Sequence, residues 1–260
     1  MSEESVFGSG WSVLLEDGPV LVINKSAGLL TQAPPGVPSL EGEVKAWLKE
    51  RFGKAGNVYL GIPHRLDRAV SGAIVFARNS KAAARLAEQF EKRQVRKIYW
   101  AIVEGVPQPS ESMLTDWLLK LPQESRAEVV TPETPGAREC RLSYRTLAAP
   151  LSEGSDLQSL IEVELHTGRM HQIRVQLASR GWPVVGDSLY GSKPRFLNEG
   201  VRENSRDEPI ALHARSLTFQ HPVRYDQLTI TASLPVTWPK AATDFLQKDS
   251  SCDDHSNQPV

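Results

Sequence analysis

His64-Arg65-Leu66-Asp67-Arg68-Ala69-Val70-Ser71-Gly72 places one carboxylate between two guanidinium groups, immediately ahead of an apolar, strand-like run from Ala73 to Ala77. Far downstream, Thr167-Gly168-Arg169-Met170-His171-Gln172-Ile173-Arg174 supplies a second cluster of cations and hydrogen-bonding groups. An acid wrapped in arginines, with side chains suited to a polyanion around it, points to carboxylate chemistry on a nucleic acid rather than on a small neutral metabolite.

Outward from this centre the chain is rich in strands. Ser12–Leu15 and Val20–Asn24 flank Asp17-Gly18 and read as a hairpin. Thr31–Leu40, with Pro34, Pro35, Gly36 and Pro38, is a loop. Glu43–Phe52 reads as a helix with Val44, Trp47, Leu48 and Phe52 on one face, stopped by Gly53. After the strand that follows Gly72, a helix is predicted from Ser80 to Gln94, capped by Asn79 or Ser80, with Ala83, Leu86, Ala87 and Phe90 as its apolar stripe. Arg96–Val103 and Leu160–Leu165 alternate as strands, and Thr218–Leu234 suggests two more around Tyr225-Asp226. Pro107–Gly136 is turn-rich, with a short apolar piece at Trp117–Leu121. Lys193–Pro209 is a charged insertion. The fold class expected is α+β, with a mainly antiparallel mixed sheet flanked by helices and loops. Residues 1–11 form an N-terminal extension, 12–246 one domain, and 247–260 a disordered polar tail.

Composition narrows the function. The 260 residues are 40% hydrophobic and 23% charged, with a net charge of −1. No apolar run is long enough to cross a bilayer, so no membrane partner is expected. The N-terminus lacks a secretory signal, and Cys140 and Cys252 offer no disulfide framework, which fits the cytoplasm. Between His64 and Lys97, nine basic side chains stand against three acidic ones, a local charge of +6. Such a patch can meet phosphates despite the overall balance, although a solvated helix face is the alternative reading. His64 and His171 lack metal-ligand spacing, so no metal is expected.

In the helix beginning near Arg169, Met170, Ile173, Arg174 and Leu177 share one face. An inward guanidinium requires an anion, and Asp67, set among Leu66, Val70 and Ala73, is the best candidate. Periodicity alone leaves open that Arg174 instead reaches the surface along its aliphatic stem.

The stretch His64–Gly72 resembles the H-R-L-D-x-x-(T/S)-S-G motif of the RluA-type RNA pseudouridine synthases. Ile23-Asn24-Lys25 with Gly28-Leu29, Lys97-Ile98-Tyr99-Trp100-Ala101, Thr167–Arg174 and Gly186-Asp187-Ser188-Leu189-Tyr190-Gly191 match further family motifs in order, over roughly Ser12–Pro239. The resemblance implies isomerisation of uridine in tRNA or ribosomal RNA to its C5-glycoside, with no cofactor or metal, by a monomer. It makes Asp67 the catalytic aspartate, Tyr99 the active-site tyrosine and Arg174 the arginine that pairs with Asp67. Arg65 would hold the uridine out of the RNA stack, and Leu212, ahead of His213-Ala214, would line the uracil pocket. His64, Leu66, Arg169, His171 and Gln172 complete the substrate-binding set. Apart from its motif, Tyr99 would read as an ordinary strand aromatic.

The chain departs from the family pattern at Val70, where threonine is common, at Ser26, where proline is, and at Gln176, where histidine is. There is no room before Trp11 for the S4 RNA-binding domain of many relatives, so target choice is expected to rest on the catalytic domain. An RNA-binding or RNA-folding protein on the same scaffold is the competing reading, which an intact Asp67, Tyr99 and Arg174 set disfavours. An Asp/His hydrolase ranks last because neither motif offers a second carboxylate.

Overall fold

Strands supply most of the regular structure in the computed structural model, which describes residues 6–7, 10–121, 123–151, 157–193, 196 and 208–245. In chain order the elements are β1 (Val6–Phe7), β2 (Trp11–Asp17), β3 (Val20–Lys25), α1 (Leu40–Arg51), β4 (Ser71–Ala77), α2 (Ser80–Glu91), β5 (Arg96–Glu104) and β6 (Glu111–Leu121). Then follow β7 (Arg126–Val130), β8 (Arg138–Ala148), β9 (Gln158–Leu165), α3 (Gln172–Ala178), a 3-10 turn (Ser188–Tyr190), β10 (Leu212–Gln220) and β11 (Gln227–Thr231). Among the described residues the strands form one sheet in the order β1-β2-β3-β4-β10-β5-β9-β8-β6-β7, with β11 added to β10. β4 and β10 run parallel and the other pairs are antiparallel. This is the α+β arrangement that the strand-rich pattern implied.

Alternation along β3 and β4 explains the layering. Leu21, Ile23, Ile74 and Phe76 face one apolar cluster, and Val20, Val22, Ala73, Val75 and Ala77 face another. α1 covers the first face with Leu40, Val44 and Leu48, and α2 covers the second with Ala82 and Leu86. Both helices start at a capping side chain. Ser39 Oγ accepts from Gly42 N–H at 3.3 Å, and Asn79 Oδ1 accepts from Ala82 N–H at 2.8 Å.

The parallel junction of β4 with β10 depends on Gly72. Its φ is +115°, and a Cβ there would lie 2.3 Å from the Ala214 carbonyl oxygen. A Cβ has no room in that space, and L side chains rarely adopt that backbone conformation.

Several expectations are corrected. The buried stripe of α2 is Ala82, Leu86 and Gln89, while Ala87 is exposed. Gln89 turns inward because its amide pairs with the Gln220 backbone, donating to the carbonyl at 2.9 Å and accepting from the N–H at 2.8 Å. The piece expected at Trp117–Leu121 is the end of β6, which forms a hairpin with β7. β8 was not anticipated; its buried Cys140, Leu142 and Tyr144 alternate with exposed or half-buried residues. Met170 precedes α3, and Gln172 to Leu177 are all buried, so α3 lacks the solvent face that a single inward stripe would leave. β1 pairs with β2, so the sheet begins ahead of residue 12. Most of Lys193–Pro209 and the tail 247–260 lie outside the described residues. No helix among the described residues is long and apolar enough to cross a membrane.

Candidate active site

Asp67 sits in the loop that enters β4, and that loop is anchored on both sides of it. Before it, Thr31 Oγ1 accepts from Leu66 N–H at 3.2 Å and donates to the Leu66 carbonyl at 2.8 Å. His64 Nε2 accepts from Val75 N–H at 3.0 Å, and its ring stacks on Phe90. After it, Gly28 N–H donates to the Arg68 carbonyl at 2.7 Å, and Arg68 Nε donates to the Gly28 carbonyl at 3.0 Å. Beneath these loops lies Lys25, wholly buried, whose ammonium donates to the carbonyls of Leu29 (2.8 Å), Ser26 (2.9 Å) and Arg68 (3.4 Å). Burial lowers the Lys25 pKa to about 7, with the nearby Asp67 charge acting in the opposite direction.

Two groups from the second motif meet the carboxylate. Arg174 Nη1 lies 3.5 Å from Asp67 Oδ2, and His171 Nε2 lies 3.7 Å from the same oxygen. The hydrogen-bonded partner of Arg174, however, is Asp187. Arg174 Nε and Nη2 donate to its two oxygens at 2.6 and 2.8 Å, in a planar two-point contact. The expected pairing of Arg174 with Asp67 is present as an ion pair at 3.5 Å, and Asp187, which the sequence reading left without a role, takes the hydrogen-bonded contact. The physical reason is burial: the Asp187 side chain is 1% exposed and has the greater need of a cationic partner, whereas Asp67 is 37% exposed. Burial works against the charged guanidinium, but the Asp187 hydrogen bond and charge outweigh it and raise the Arg174 pKa.

The site lies between two clefts. One, about 700 Å³, is lined by Asp67, Tyr99, Leu212, Arg169 and His171, with Arg93, Lys97 and Lys120 adding positive charge. The other, about 830 Å³, is lined by Thr31, Gln32, Arg68, Ser125 and Asp187. Arg65, Leu66, Asp67, Met170, His171 and Arg174 line both and form the wall between them. Tyr99 is buried on β5, and burial reinforced by the Asp67 charge raises its phenol pKa, so its hydroxyl stays protonated.

Several of the expected substrate-binding residues that line this cleft also hold the fold together. All four hydrogen-bonding positions of the Gln172 amide are occupied: it accepts from Thr167 Oγ1 and Arg169 N–H, and donates to the Arg141 carbonyl and to Gln176. These bonds build the turn into α3. His64 is likewise committed to β4, and burial, with Lys97 nearby, lowers its pKa to about 3, so the ring is neutral. Arg169 lines the cleft while its Nε donates to the Glu139 carbonyl at 3.2 Å. Gln176, at the position where histidine is common, donates to Asp116 at 2.6 Å and ties α3 to β6.

Sequence reasoning assigned no role to Thr31, Lys25, Asp187 or Tyr190. The last three lie in quoted motifs, and their spacing relative to Asp67 and Arg174 was the available signal. Thr31, in a proline-rich loop, carried none. Among the described residues no cluster of three or more His, Cys, Asp or Glu is arranged to hold a metal ion.

Comparison with known proteins gives a consistent result. A family model described as RNA pseudouridylate synthase matches residues 19–179. An uncharacterized RNA pseudouridine synthase of Zymomonas mobilis is 37% identical over 238 residues, covering 90% of this chain and 96% of that protein. The tRNA pseudouridine synthase C of Haemophilus influenzae is 31% identical over 239 residues, covering 90% and 97%. Among solved structures, human RNA pseudouridylate synthase domain containing 4 is similar at a TM-score of 0.69 and 26% identity, covering 90% and 92%.

Proposed function

The chain belongs to the RNA pseudouridylate synthase family, and on that premise we propose that it isomerises particular uridines of tRNA or ribosomal RNA with Asp67 as the catalytic carboxylate. The observation that carries this reading is an anchored carboxylate, beside Arg174, in a cleft shared with a buried tyrosine and rimmed by arginine and lysine. The relative named as a tRNA pseudouridine synthase supports tRNA as the first substrate to test.

Isomerisation breaks the C1′–N1 bond, turns the uracil, joins C5 to C1′ and then releases the C5 proton. Asp67 acts on the sugar, either by removing a proton from it or by attacking C1′. The uridine has to leave the stack to reach this depth, at a cost of a few kcal/mol. Arg65, exposed at the rim of both clefts, is placed to occupy the gap or hold the backbone. Tyr99 and Leu212 offer the uracil apolar surface. Because the Tyr99 hydroxyl is protonated, it accepts the C5 proton only by passing on its own. Residues 12–246 act in this reading as one catalytic unit.

Mapping pseudouridine in total RNA from cells with and without the protein tests the function. Sites that vanish without it and return with the wild type, but not with Asp67→Asn, are expected; an unchanged map refutes the reading. Tyr99→Phe separates ring from hydroxyl. RNA affinity should stay near wild type while single-turnover pseudouridine formation falls about a hundredfold or more. Unchanged turnover would remove the hydroxyl from the chemistry.

A further inference from the structure

The turn Gly186–Gly191 carries two side chains that act on the wall between the clefts, and Asp187 is the first. Tyr190 is the second. Its hydroxyl accepts from Ala127 N–H of β7 at 2.9 Å and lies 2.9 Å from His171 Nδ1. Its ring lies under the Arg174 guanidinium, 5.1 Å from centroid to carbon, and stands edge-on to His171. His171 itself has a left-handed backbone, φ +52°, unfavourable for a residue with a side chain. This conformation sits beside the proposed reactive carboxylate, where backbone strain commonly serves function.

The hydrogens of this group can be placed. Tyr190 Oη already receives the Ala127 hydrogen, so its own hydrogen needs an acceptor. Among the described residues, His171 Nδ1 is the acceptor within reach. A neutral imidazole that accepts at Nδ1 carries its hydrogen on Nε2. That nitrogen faces Asp67 Oδ2 at 3.7 Å, a shift of less than an ångström from a hydrogen bond.

We propose that Tyr190 fixes His171 as the Nε2–H tautomer, so that His171 joins Arg174 as a second donor to Asp67. Both nitrogens lie nearest Oδ2, at 3.7 and 3.5 Å, and in this proposal Oδ1 is the oxygen left for the substrate. Tyr190 and His171 are thus positioning residues for the carboxylate. The neutral form of His171 is favoured by burial and by Arg174, and opposed by Asp67 and Asp187. This assignment rests on Asp67 being the reactive carboxylate.

Nitrogen NMR of the full chain, with its histidine rings labelled with ¹⁵N, reads the tautomer directly. His171 should show a pyridine-type Nδ1 and a pyrrole-type Nε2, and Tyr190→Phe should move the population toward Nδ1–H. In single-turnover assays, Tyr190→Phe and His171→Leu should each slow pseudouridine formation on the order of tenfold to a hundredfold. His171→Gln, whose amide can donate from near the Nε2 position, should recover part of that loss. A pyrrole-type Nδ1 in the wild type, or wild-type turnover in both Tyr190→Phe and His171→Leu, overturns the proposal. If Tyr190→Phe does not fold, the wild-type ring shifts and the Gln–Leu comparison at 171 decide it. Asp67→Asn in the same assay separates the levels. If it is silent while the Tyr190 and His171 variants are unaffected, only this proposal falls; if it is active, the catalytic reading falls with it.

Discussion

Asp67→Asn is expected to keep the fold and the RNA affinity and to reduce isomerisation by a factor on the order of 10⁴ or more, the scale for removing a reacting base or nucleophile. The amide has nearly the shape of the carboxylate. The loop that carries it is held elsewhere, by Thr31 on Leu66, by Gly28 on Arg68 and by His64 on Val75. The Asp67 carboxylate accepts no hydrogen bond on which those anchors depend, and its contacts with Arg174 and His171 are at 3.5 and 3.7 Å. What the amide lacks is the negative charge that can remove a proton or attack C1′. The check is single-turnover conversion of a uridine substrate by purified protein, with RNA binding measured in parallel. Near-wild-type conversion would end the assignment of Asp67.

Arg174→Ala is expected to cost about 3–5 kcal/mol of folding stability, the range for breaking a buried ion pair by removing one partner. The residue left behind is Asp187, almost wholly enclosed and deprived of both donors. Arg174→Lys should restore only part of the loss, because an ammonium cannot reproduce the planar contact. The decisive measurement is a double-mutant cycle by denaturant unfolding. Arg174→Ala combined with Asp187→Asn should be well below the sum of the single losses, whereas Arg174→Ala with Asp67→Asn should lie much closer to additive. Additivity in the first cycle would dissolve the pair.

That second prediction differs from what the sequence alone suggests, and the difference shows what sequence can carry. Local periodicity allowed an inward Arg174 as well as one that reaches the surface, and the need for an anion if it is inward follows from elementary electrostatics. The choice between Asp67 and Asp187 depends on which carboxylate is less accessible, a property of the assembled structure. The β2–β3 hairpin, β4 and the cap at Asn79 were legible because each depends on adjacent residues. β8 was also written in the chain, as buried Cys140, Leu142 and Tyr144 alternating with polar residues, but its arginines and the preceding Pro- and Gly-rich stretch masked the period. Gln89 could not be read as buried, because its amide is matched by the backbone of Gln220 in a distant strand. Thr31 was illegible for the same reason: its partner Leu66 lies 35 residues away.

The parallel pairing of β4 with β10 has a consequence for the time at which the protein becomes active. Ser71, four residues after Asp67, bonds His213 at 2.8 Å, and the other nitrogen of His213 meets the Ala232 carbonyl at 3.4 Å. Arg174 and Asp187 also come from the later half of the chain. During synthesis, which adds roughly 5–20 residues per second, the Asp67 loop and its anchors at Gly28, Thr31 and His64 emerge well before Arg174, Asp187 and His213. The contacts around the site are therefore complete only once the segments carrying Arg174, Asp187, His213 and Ala232 are in place.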